Sequence, residues 1–482
     1  MEQFENFING EWVSPSSQEY FEVTDPAHPE TVVSRFPSSS TDDVYEAIMA
    51  ALDAQTEWAM TPPPSRGTIL NRAAEILREQ SEELTQYLVM EEGKTHREAA
   101  GEVSRAIDIF SYYAQKARDL GGVRRSTSQR NRWIQTRSTP LGVVALITPW
   151  NYPIAIPAWK LAPALAAGNT VILKPASEAP RMAASLIEAL SKAGLPDGVV
   201  NLVTGAGSII GPALTGDERI DGISFTGSTD VGTAVARQAA DRLARVQCEM
   251  GGKNPTVVMP SADISDAVGI VAGGGFGTTG QSCTACSRAL VHREIYDEFV
   301  EALIEHAEGM QVGPGLENPD MGPQVSAAEL EGTLGYVHRA ADMGAVVRTG
   351  GQRLRVDSAP EGHFIAPTVV TDVTPTMEIA RQEIFGPVVT VMPIADIDEA
   401  IDLSNDTEYG LSASIVTRVL SEAHSYADGV EAGIVKVNEK TTGVELHAPF
   451  GGVKASSSNT YREQGDAALE FFSVSKTIYM NY

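Results

Sequence analysis

The sequence predicts an α/β protein in which parallel strands alternate with helices in two successive blocks. The first block has five short apolar runs, at residues 143–148, 170–173, 199–203, 222–225 and 246–249. Helical segments separate these runs and begin near Ile154, Arg181, Ser208 and Thr229. Such alternation is typical of a parallel sheet that is covered by helices on both faces. A second alternating block extends from about residue 255 to residue 437, and 482 residues suffice for two to four domains.

The N-terminal region predicts a β-hairpin that is followed by helices. Asn9 and Gly10 lie between apolar residues, and this dipeptide is the strongest short signal for a hairpin turn. We expect Thr41 to cap the first helix, because the apolar residues after it fall on one helical face. The three prolines at 62–64 interrupt the helical pattern, which then continues to about Leu120.

Two segments lie outside the alternating blocks. Residues 121–131 are rich in Gly, Arg and Ser, and we expect them to form an excursion from the fold. Residues 473–479 alternate polar and apolar side chains in part, as an exposed strand does. Ligands of open α/β sheets bind at the carboxyl ends of the strands, so we expect the functional residues there.

The composition indicates a folded and strongly acidic protein. Hydrophobic residues make up 43% of the chain, which is enough to form a core. The 63 acidic and 36 basic residues give a net charge of −27, and lysine occurs only ten times. Such a surface repels nucleic acids and anionic membranes, so we expect neither as a partner. It also suits high salt, where ions screen the self-repulsion; an ordinary acidic cytosolic protein is the alternative.

The cysteine content and the N-terminal residues predict a cytoplasmic location. Three cysteines exclude a disulfide-stapled scaffold and are typical of a reducing compartment. The first five residues include two glutamates and precede no apolar stretch, so we expect no signal peptide. No apolar run reaches the roughly 18 residues that a membrane-spanning helix needs.

Several common functional motifs are incomplete in this sequence. Residues 205–211 depart from the dinucleotide-binding glycine pattern in their last spacing and are more typical of a structural turn. Residues 227–232 are similar to a phosphate loop, but Thr233 replaces the lysine, which disfavours nucleotide hydrolysis. The eight histidines form no pair with ligand spacing, so we expect no metal site.

Cys283 is a candidate nucleophile. It forms a C-x-x-C pair with Cys286 and follows the small and polar residues 280–282. A buried, inert cysteine is the default interpretation, and a thiol–disulfide redox pair is an alternative. The small, polar and turn-prone surroundings favour an accessible nucleophile.

Glu249 and Asn151 each follow an apolar run and could assist a nucleophile. A carboxylate that enters a cleft can have a raised pKa and act as a general base, although a surface acid at the end of a strand is commoner. The Asn151 amide could donate to an oxyanion, or it could form a local Asx-turn.

Seven motifs in this order resemble the aldehyde dehydrogenase superfamily over essentially the whole chain. The motifs are Trp150-Asn151-Tyr152-Pro153, Lys174-Pro175-Ala176-Ser177, Phe225-Thr226-Gly227-Ser228-Thr229, Glu249-Met250-Gly251-Gly252-Lys253, Gly280-Gln281-Ser282-Cys283, Glu383-Ile384-Phe385-Gly386-Pro387 and Pro449-Phe450-Gly451-Gly452. The resemblance implies three parts: a Rossmann-like cofactor domain (1–118 and 140–251), an α/β catalytic domain (252–448) and a small β oligomerisation arm (119–139 and 464–482). It also implies a homodimer or homotetramer.

The resemblance further implies a mechanism. Cys283 would attack an aldehyde, and the Asn151 amide and the Cys283 N–H would stabilise the oxyanion. Glu249 would activate the water that hydrolyses the resulting thioester. Members that transfer the acyl group to coenzyme A typically lack this glutamate, so its presence favours hydrolysis to the acid. The implied coenzyme contacts are Lys174, Ser177, Trp150, Gly207, Gly211, Ser228, Glu383 and Phe385.

Position 177 predicts that NADP is preferred, with NAD possible. Relatives that prefer NAD often carry glutamate there, which would repel a 2′-phosphate. Ser177 removes this repulsion, and Lys174 supplies positive charge.

The implied substrate is a small semialdehyde. Residues 154–160 and 442–465 include segments similar to 2-oxoglutarate-semialdehyde (2,5-dioxopentanoate) dehydrogenases, which complete oxidative pentose degradation. The expected substrate contacts are Trp159, His447 and Phe450. Oxidation of succinate semialdehyde or of a broad range of aldehydes is an alternative, and a redox protein that uses Cys283 and Cys286 is an alternative of another class. Cys286 either packs or forms a reversible disulfide with Cys283.

Overall fold

The computed structural model describes residues 2–482, and these residues form two seven-stranded sheets, three smaller sheets and the helices around them. The strands are β1 (Glu2–Gln3), β2 (Asn6–Ile8), β3 (Glu11–Val13), β4 (Tyr20–Thr24), β5 (Val32–Pro37), β6 (Arg124–Arg125), β7 (Arg132–Pro140), β8 (Val143–Ile147), β9 (Thr170–Lys174), β10 (Val200–Leu202), β11 (Gly222–Thr226), β12 (Arg245–Glu249), β13 (Asn254–Val258), β14 (Cys286–His292), β15 (Val346–Thr349), β16 (Thr368–Thr371), β17 (Val388–Ile394), β18 (Tyr409–Gly410), β19 (Ser412–Val416), β20 (Ile434–Val437), β21 (Val453–Lys454) and β22 (Ser473–Asn481).

Fifteen α-helices occur in the described residues. They are α1 (Thr41–Met60), α2 (Pro63–Glu79), α3 (Ser81–Glu92), α4 (His96–Lys116), α5 (Ala155–Ala167), α6 (Arg181–Lys192), α7 (Gly207–Gly216), α8 (Thr229–Asp241), α9 (Ile264–Gly275), α10 (Tyr296–Gly309), α11 (Ala327–Asp342), α12 (Glu378–Arg381), α13 (Ile397–Asn405), α14 (Leu420–Gly429) and α15 (Gly465–Phe471). Between residues 2 and 482, none of them combines the length and the apolar character that crossing a bilayer requires.

The first large sheet has the strand order β12-β11-β8-β9-β10-β2-β3. Strands β8 to β12 run parallel, and they coincide with the five apolar runs of the first block. The hairpin of β2 and β3 adds an antiparallel edge. Asn9 and Gly10 have φ angles of 53° and 85°, which the tight hairpin turn requires.

Ser40, not Thr41, caps the first helix. The Ser40 hydroxyl accepts from the Asp42 N–H at 3.1 Å, and the Asp43 carboxylate accepts from the Ser40 N–H at 2.8 Å. This arrangement is a capping box, and Thr41 is the first helical residue. The expectation for Thr41 was wrong by one residue because two adjacent hydroxyl residues can both fill the position.

The second large sheet has the strand order β15-β16-β17-β14-β13-β19-β20. All neighbouring pairs are parallel except β15 with β16, which is antiparallel. Apolar side chains on both faces of this sheet are buried. The structure therefore confirms the predicted second α/β block.

A three-stranded antiparallel sheet, β22-β7-β6, is separate from the two large sheets. Strand β22 pairs with β7 along its whole length, and large side chains such as Tyr479 and Met480 are exposed on it. Helix α15 directly precedes β22 in the sequence, but it packs against the first block. Its residues Leu469 and Phe471, with the following Phe472, are buried in the core of the first block.

The two blocks meet along a line that places the sequence motifs together. The carboxyl ends of β8, β11 and β12 lead directly into Trp150, Ser228 and Met250. On the opposite side, the loop before β14 carries Cys283. The functional candidates therefore converge where the first sheet ends and the second begins.

Candidate active site

A cleft of about 350 Å³ lies between the two blocks. Both blocks contribute to its walls. Six of the residues singled out from the sequence line it, namely Trp150, Asn151, Ser228, Cys283, Glu383 and Phe385. The cleft thus unites two predicted catalytic residues with four predicted coenzyme contacts.

The segment that leads to Cys283 has an unusual backbone conformation. Thr278 and Thr279 have φ angles of 53° and 54°, and Gly280 follows with 69°. Non-glycine residues in this region cost about 1–3 kcal/mol each, and such strain clusters at functional sites. A side chain at Gly280 would also collide with the Gly386 carbonyl, so the close approach of these backbones needs glycine.

Asn254 fixes the backbone on the other side of the cysteine. Its Nδ2 donates to the carbonyl oxygens of Cys283 at 2.8 Å and Ala285 at 2.9 Å. Its Oδ1 accepts from the Ser412 N–H at 2.9 Å, which ties the cysteine loop to β19. Asn254 thereby holds the Cys283 carbonyl through one hydrogen bond and is itself held by two buried hydrogen bonds, to Ala285 and Ser412.

The Cys283 side chain is half-buried, and its surroundings favour the protonated form of the thiol. Burial raises the pKa of this thiol well above its usual range, and the carboxylates of Glu383 and Glu249 raise it further. Since the thiolate is the nucleophilic form, the proton must leave the sulfur before it can attack.

Asn151 presents its amide beside this loop. The residue follows β8, is 2% exposed, and donates from Nδ2 to the Gln281 carbonyl at 3.0 Å. An amide nitrogen carries two N–H groups, so one remains for the cleft. The Asn151 backbone carbonyl accepts a hydrogen bond from the buried Lys94 Nζ.

Glu249 is the last residue of β12 and is only 1% exposed. Its two carboxylate oxygens accept from the Gly452 N–H at 3.0 Å and the Ser457 hydroxyl at 3.2 Å. The carboxylate thus contacts the segment of residues 452–457 and does not line the cleft. Burial raises its pKa well above the usual range, and the neighbouring Glu463 raises it further.

Glu383 and an aromatic pair form the opposite wall of the cleft. The Glu383 carboxylate accepts from the Gly252 N–H at 3.0 Å, and burial raises its pKa to about 7. A side chain at Gly251 would displace this carboxylate, so glycine leaves the space that the carboxylate occupies. Trp150 and Phe385 pack edge to face, with their ring centroids 5.3 Å apart.

Lys174 is the last residue of β9, and Ser177 follows three residues later. Lys174 Nζ donates to the Pro175 carbonyl at 2.7 Å, and the Ser177 hydroxyl donates to the Gly205 carbonyl at 3.2 Å. Burial lowers the pKa of Lys174 to about 8. Gly207, the first residue of α7, lies close to the Lys174 side chain.

Gly211 lies one turn further along α7 than Gly207. A Cβ atom added at Gly211 would meet open space, so packing does not require glycine there.

Two of the three expected substrate residues contact each other, and the third lies at the surface. Trp159 and Phe450 are buried and pack with their ring centroids 5.7 Å apart. His447 lies apart from them on the surface, with 66% of its side chain exposed, and is 3.9 Å from Glu445.

Cys286 begins β14 and is 1% exposed among the apolar residues of the second block. Burial raises the pKa of its thiol to about 11. Cys283 and Cys286 are both free cysteines, with no disulfide between them. The position agrees with the packing role among the alternatives for this residue.

The sequence patterns missed three residues that hold this site together. Gln281 accepts through its backbone carbonyl and lies inside the motif of residues 280–283, which was the available signal. Asn254 directly follows the motif of residues 249–253 but is 29 residues from Cys283, so no local pattern indicated its contact. Lys94 had no comparable signal, since its partner Asn151 is 57 residues away.

Comparisons with known proteins show the family to which the chain belongs. Residues 12–478 match the model of the aldehyde dehydrogenase family. The chain is 56% identical to an alpha-ketoglutarate semialdehyde dehydrogenase of Haloferax volcanii over 477 residues, which cover 99% of both chains. It is 43% identical to a 2,5-dioxopentanoate dehydrogenase of Saccharolobus solfataricus over 470 residues, or 97% of each chain.

Solved structures show the same fold. A betaine aldehyde dehydrogenase of Staphylococcus aureus in complex with NAD+ superposes with a TM-score of 0.96 at 33% identity, covering 99% of this chain and 94% of that one. A 3,6-anhydro-L-galactose dehydrogenase solved with NADP also gives 0.96, at 34% identity, covering 99% and 100%. The chain is therefore a member of the aldehyde dehydrogenase family, whose enzymes use a nicotinamide coenzyme.

Proposed function

We propose that this enzyme oxidises 2-oxoglutarate semialdehyde to 2-oxoglutarate and prefers NADP to NAD. The observation that carries the proposal is the single cleft lined by Cys283, Asn151 and Glu383, with Glu249 at the end of the adjoining strand. The two relatives named for this activity support the choice of substrate, since each aligns with nearly the whole chain.

In this proposal Cys283 performs the first chemical step. The thiol gives its proton to water, its sulfur bonds to the aldehyde carbon, and the electron pair of the carbonyl double bond moves to the oxygen, which becomes an oxyanion. The free N–H of the Asn151 amide and the backbone N–H of Cys283 donate to that oxygen. Removal of one such donor typically slows an enzyme by about 10²–10³.

The residues around the cleft fit a dinucleotide. The first turn of α8 receives no hydrogen bond from the Ser228 side chain, so its N–H groups are available to a phosphate. Glu383 would hold a ribose hydroxyl, and Trp150 and Phe385 would form the wall beside the nicotinamide. The coenzyme, when bound, supplies the hydride acceptor.

Glu249 would then act as the general base. The carboxylate takes a proton from water, and the resulting hydroxide attacks the thioester of Cys283 to release the acid. Because burial and Glu463 raise its pKa, Glu249 takes up this proton more readily than an exposed glutamate does.

The residues beyond β9 support a preference for NADP. Ser177 carries no charge that would repel a 2′-phosphate, and Gly207 leaves room beside the Lys174 ammonium group. A phosphate would favour the charged form of Lys174, whose pKa burial lowers to about 8. Gly211, on the next turn of α7, belongs to the same proposed coenzyme-binding region.

A carboxylate substrate needs a cation on its far side, and we propose Arg105 for this role. Arg105 lies one turn beyond Glu102, which contacts the start of α5. Its guanidinium donates to Gln464 Oε1 at 3.0 Å, and the preceding Glu463 pairs with the backbone of Phe450. Within residues 2–482, no carboxylate lies within ion-pair distance of it.

Trp159 and Phe450 would form the apolar wall of the passage through which the substrate enters. His447, at the surface, would contact the substrate only at the opening of this passage.

The proposed domain division follows the sequence boundaries, with residues 1–118 and 140–251 for the coenzyme and 252–448 for catalysis. The remaining proposal is a cytoplasmic homodimer or homotetramer, formed by the arm that contains β22.

The experiment is an assay of NADPH and NADH formation in high salt with four substrates: 2-oxoglutarate semialdehyde, succinate semialdehyde, glutarate semialdehyde and an aliphatic aldehyde. We expect the highest kcat/KM with the first substrate and NADP. A Cys283→Ser variant should lose turnover and keep coenzyme binding, whereas Cys286→Ser should keep full activity. A higher kcat/KM for another aldehyde, or equal loss in both cysteine variants, would contradict the proposal.

A further inference from the structure

We propose that Lys94 is a positioning residue that aims the Asn151 amide at the reacting oxygen, an inference that rests on the proposed function. Lys94 lies in the short connection between α3 and α4 and is 3% exposed. Its Nζ donates to the backbone carbonyl of Asn151. Lys94 does not line the cleft, whereas Asn151 does, and the bond between them is the contact through which Lys94 would act on the reaction.

The Lys94 ammonium group is held by a buried set of partners. Its Nζ is 3.1 Å from Glu92 Oε1, 3.3 Å from Glu102 Oε2 and 4.6 Å from the centre of the Tyr152 ring. Burial lowers the pKa of Lys94, but the two glutamates outweigh burial and raise it above its usual value. A charged donor makes a stronger bond to the Asn151 carbonyl than a neutral one.

The same network fixes the chain immediately after Asn151. Glu102 uses its other oxygen, Oε1, to accept from the N–H groups of Ile154 at 3.0 Å and Ala155 at 3.1 Å. These are the first N–H groups of α5, which would otherwise lack partners. Lys94 and Glu102 therefore hold the turn that carries Asn151 at both of its ends.

The first turn of α4 also contacts the loop that leads to Cys283. Glu98 accepts from the Thr278 N–H at 2.6 Å, within the segment of left-handed backbone. Asn151 itself donates to Gln281 in this loop. One rigid segment thus sets the positions of both proposed oxyanion donors, and a shift of about 1 Å in such a group can slow a reaction about 10²-fold.

The test is a double-mutant cycle between Lys94→Met and Asn151→Ala, measured as kcat/KM for the aldehyde. We expect Lys94→Met to lower kcat/KM about 10-fold or more in the wild-type enzyme and less than about 2-fold when Asn151 is already alanine. The KM for the coenzyme should stay unchanged in both backgrounds. Lys94→Arg, which keeps a charged donor, should restore part of the loss.

Arg66 provides a matched control. It is 3% exposed, and its Nε donates to the Ala166 carbonyl at 3.0 Å, at the opposite end of α5. Arg66→Met should lower the melting temperature, and any effect on kcat/KM should be the same factor with Asn151 present or absent. If Arg66→Met showed the same dependence on Asn151, the effect of Lys94 would be general to α5 and the inference would fail.

A second variant distinguishes the loss of Asn151 positioning from unfolding of the protein. Lys94→Met leaves two buried carboxyl groups without their cation, whereas Lys94→Met with Glu102→Gln removes one of these charges and keeps an oxygen for the α5 N–H groups. We expect the double variant to fold and to show the same dependence on Asn151.

The outcomes separate the two proposals. Equal losses from Lys94→Met in both backgrounds, or no loss in either, would overturn the positioning role. An Asn151→Ala enzyme with wild-type kcat/KM would instead overturn the oxyanion role on which the proposed function depends.

Discussion

The replacement of Glu249 by glutamine tests the proposed order of events most directly. Glutamine has the shape of glutamate, so its Oε1 can accept from the Gly452 N–H and its Nε2 can donate to the Ser457 hydroxyl. Both buried contacts of the side chain therefore survive. The lost negative charge had raised the pKa of the Cys283 thiol, so the change that can slow the reaction is the loss of the ability to take a proton from water.

The expected effect follows from this single loss. A positioned general base typically contributes about 10²–10⁴ in rate, which is about 3–5 kcal/mol of the activation barrier. We expect kcat of Glu249→Gln to fall within that range. The bond between Cys283 and the aldehyde carbon forms without Glu249, so one equivalent of coenzyme should still be reduced quickly.

Stopped-flow absorbance measures both quantities in one experiment. The variant should show a burst of about one NADPH per active site, followed by a slow steady state that reports hydrolysis of the thioester. Mass spectrometry after the burst should find the acyl group on Cys283. A steady-state rate above about one tenth of wild type, or a burst that disappears together with the steady state, would refute the assignment of Glu249 to the second step.

Four further outcomes are expected. Ser177→Glu should lower the ratio of kcat/KM for NADP to that for NAD by about 10-fold or more, because like charges would meet at the 2′-phosphate; an unchanged ratio would place the phosphate elsewhere. Glu463→Gln should move the rising limb of the pH–kcat profile to lower pH, because it removes a negative neighbour that raises the pKa of Glu249; a shift to higher pH would contradict this cause. Arg105→Met should reduce kcat/KM about 10–150-fold for a carboxylate semialdehyde and leave an uncharged aldehyde unaffected, as loss of a charged hydrogen bond predicts; equal losses would exclude the carboxylate contact. Thermal melting should occur at lower temperature as salt is reduced from molar to millimolar concentration, because the net charge is −27; an unchanged melting temperature would argue for an ordinary acidic protein.

Local patterns were sufficient to predict most of the architecture. A buried parallel strand is a short apolar run, so β8 to β12 could be located within one or two residues. The ends of these strands then indicated where Asn151 and Glu249 would lie, because parallel strands present their carboxyl ends at one edge.

What the sequence could not supply were contacts between distant segments. The hydrogen bond from Asn254 to Cys283 spans 29 residues, and that from Lys94 to Asn151 spans 57. Neither contact produces a periodic pattern in the sequence. The direction in which a loop side chain points cannot be predicted from a local sequence pattern either. The surface position of His447 was therefore not predicted.

The burial of Phe471 and Phe472 in the first core has a consequence for how the protein is made. The Phe472 carbonyl accepts from Asn169 Nδ2 at 2.9 Å, and Arg245 donates to the Phe471 carbonyl at 2.7 Å, so the last tenth of the chain completes a core begun by the first half. A nascent polypeptide on the ribosome cannot close this core until residues 471 and 472 have been synthesised. Removal of these two aromatic side chains would leave a large cavity in that core, so we expect a variant without them to be strongly destabilised.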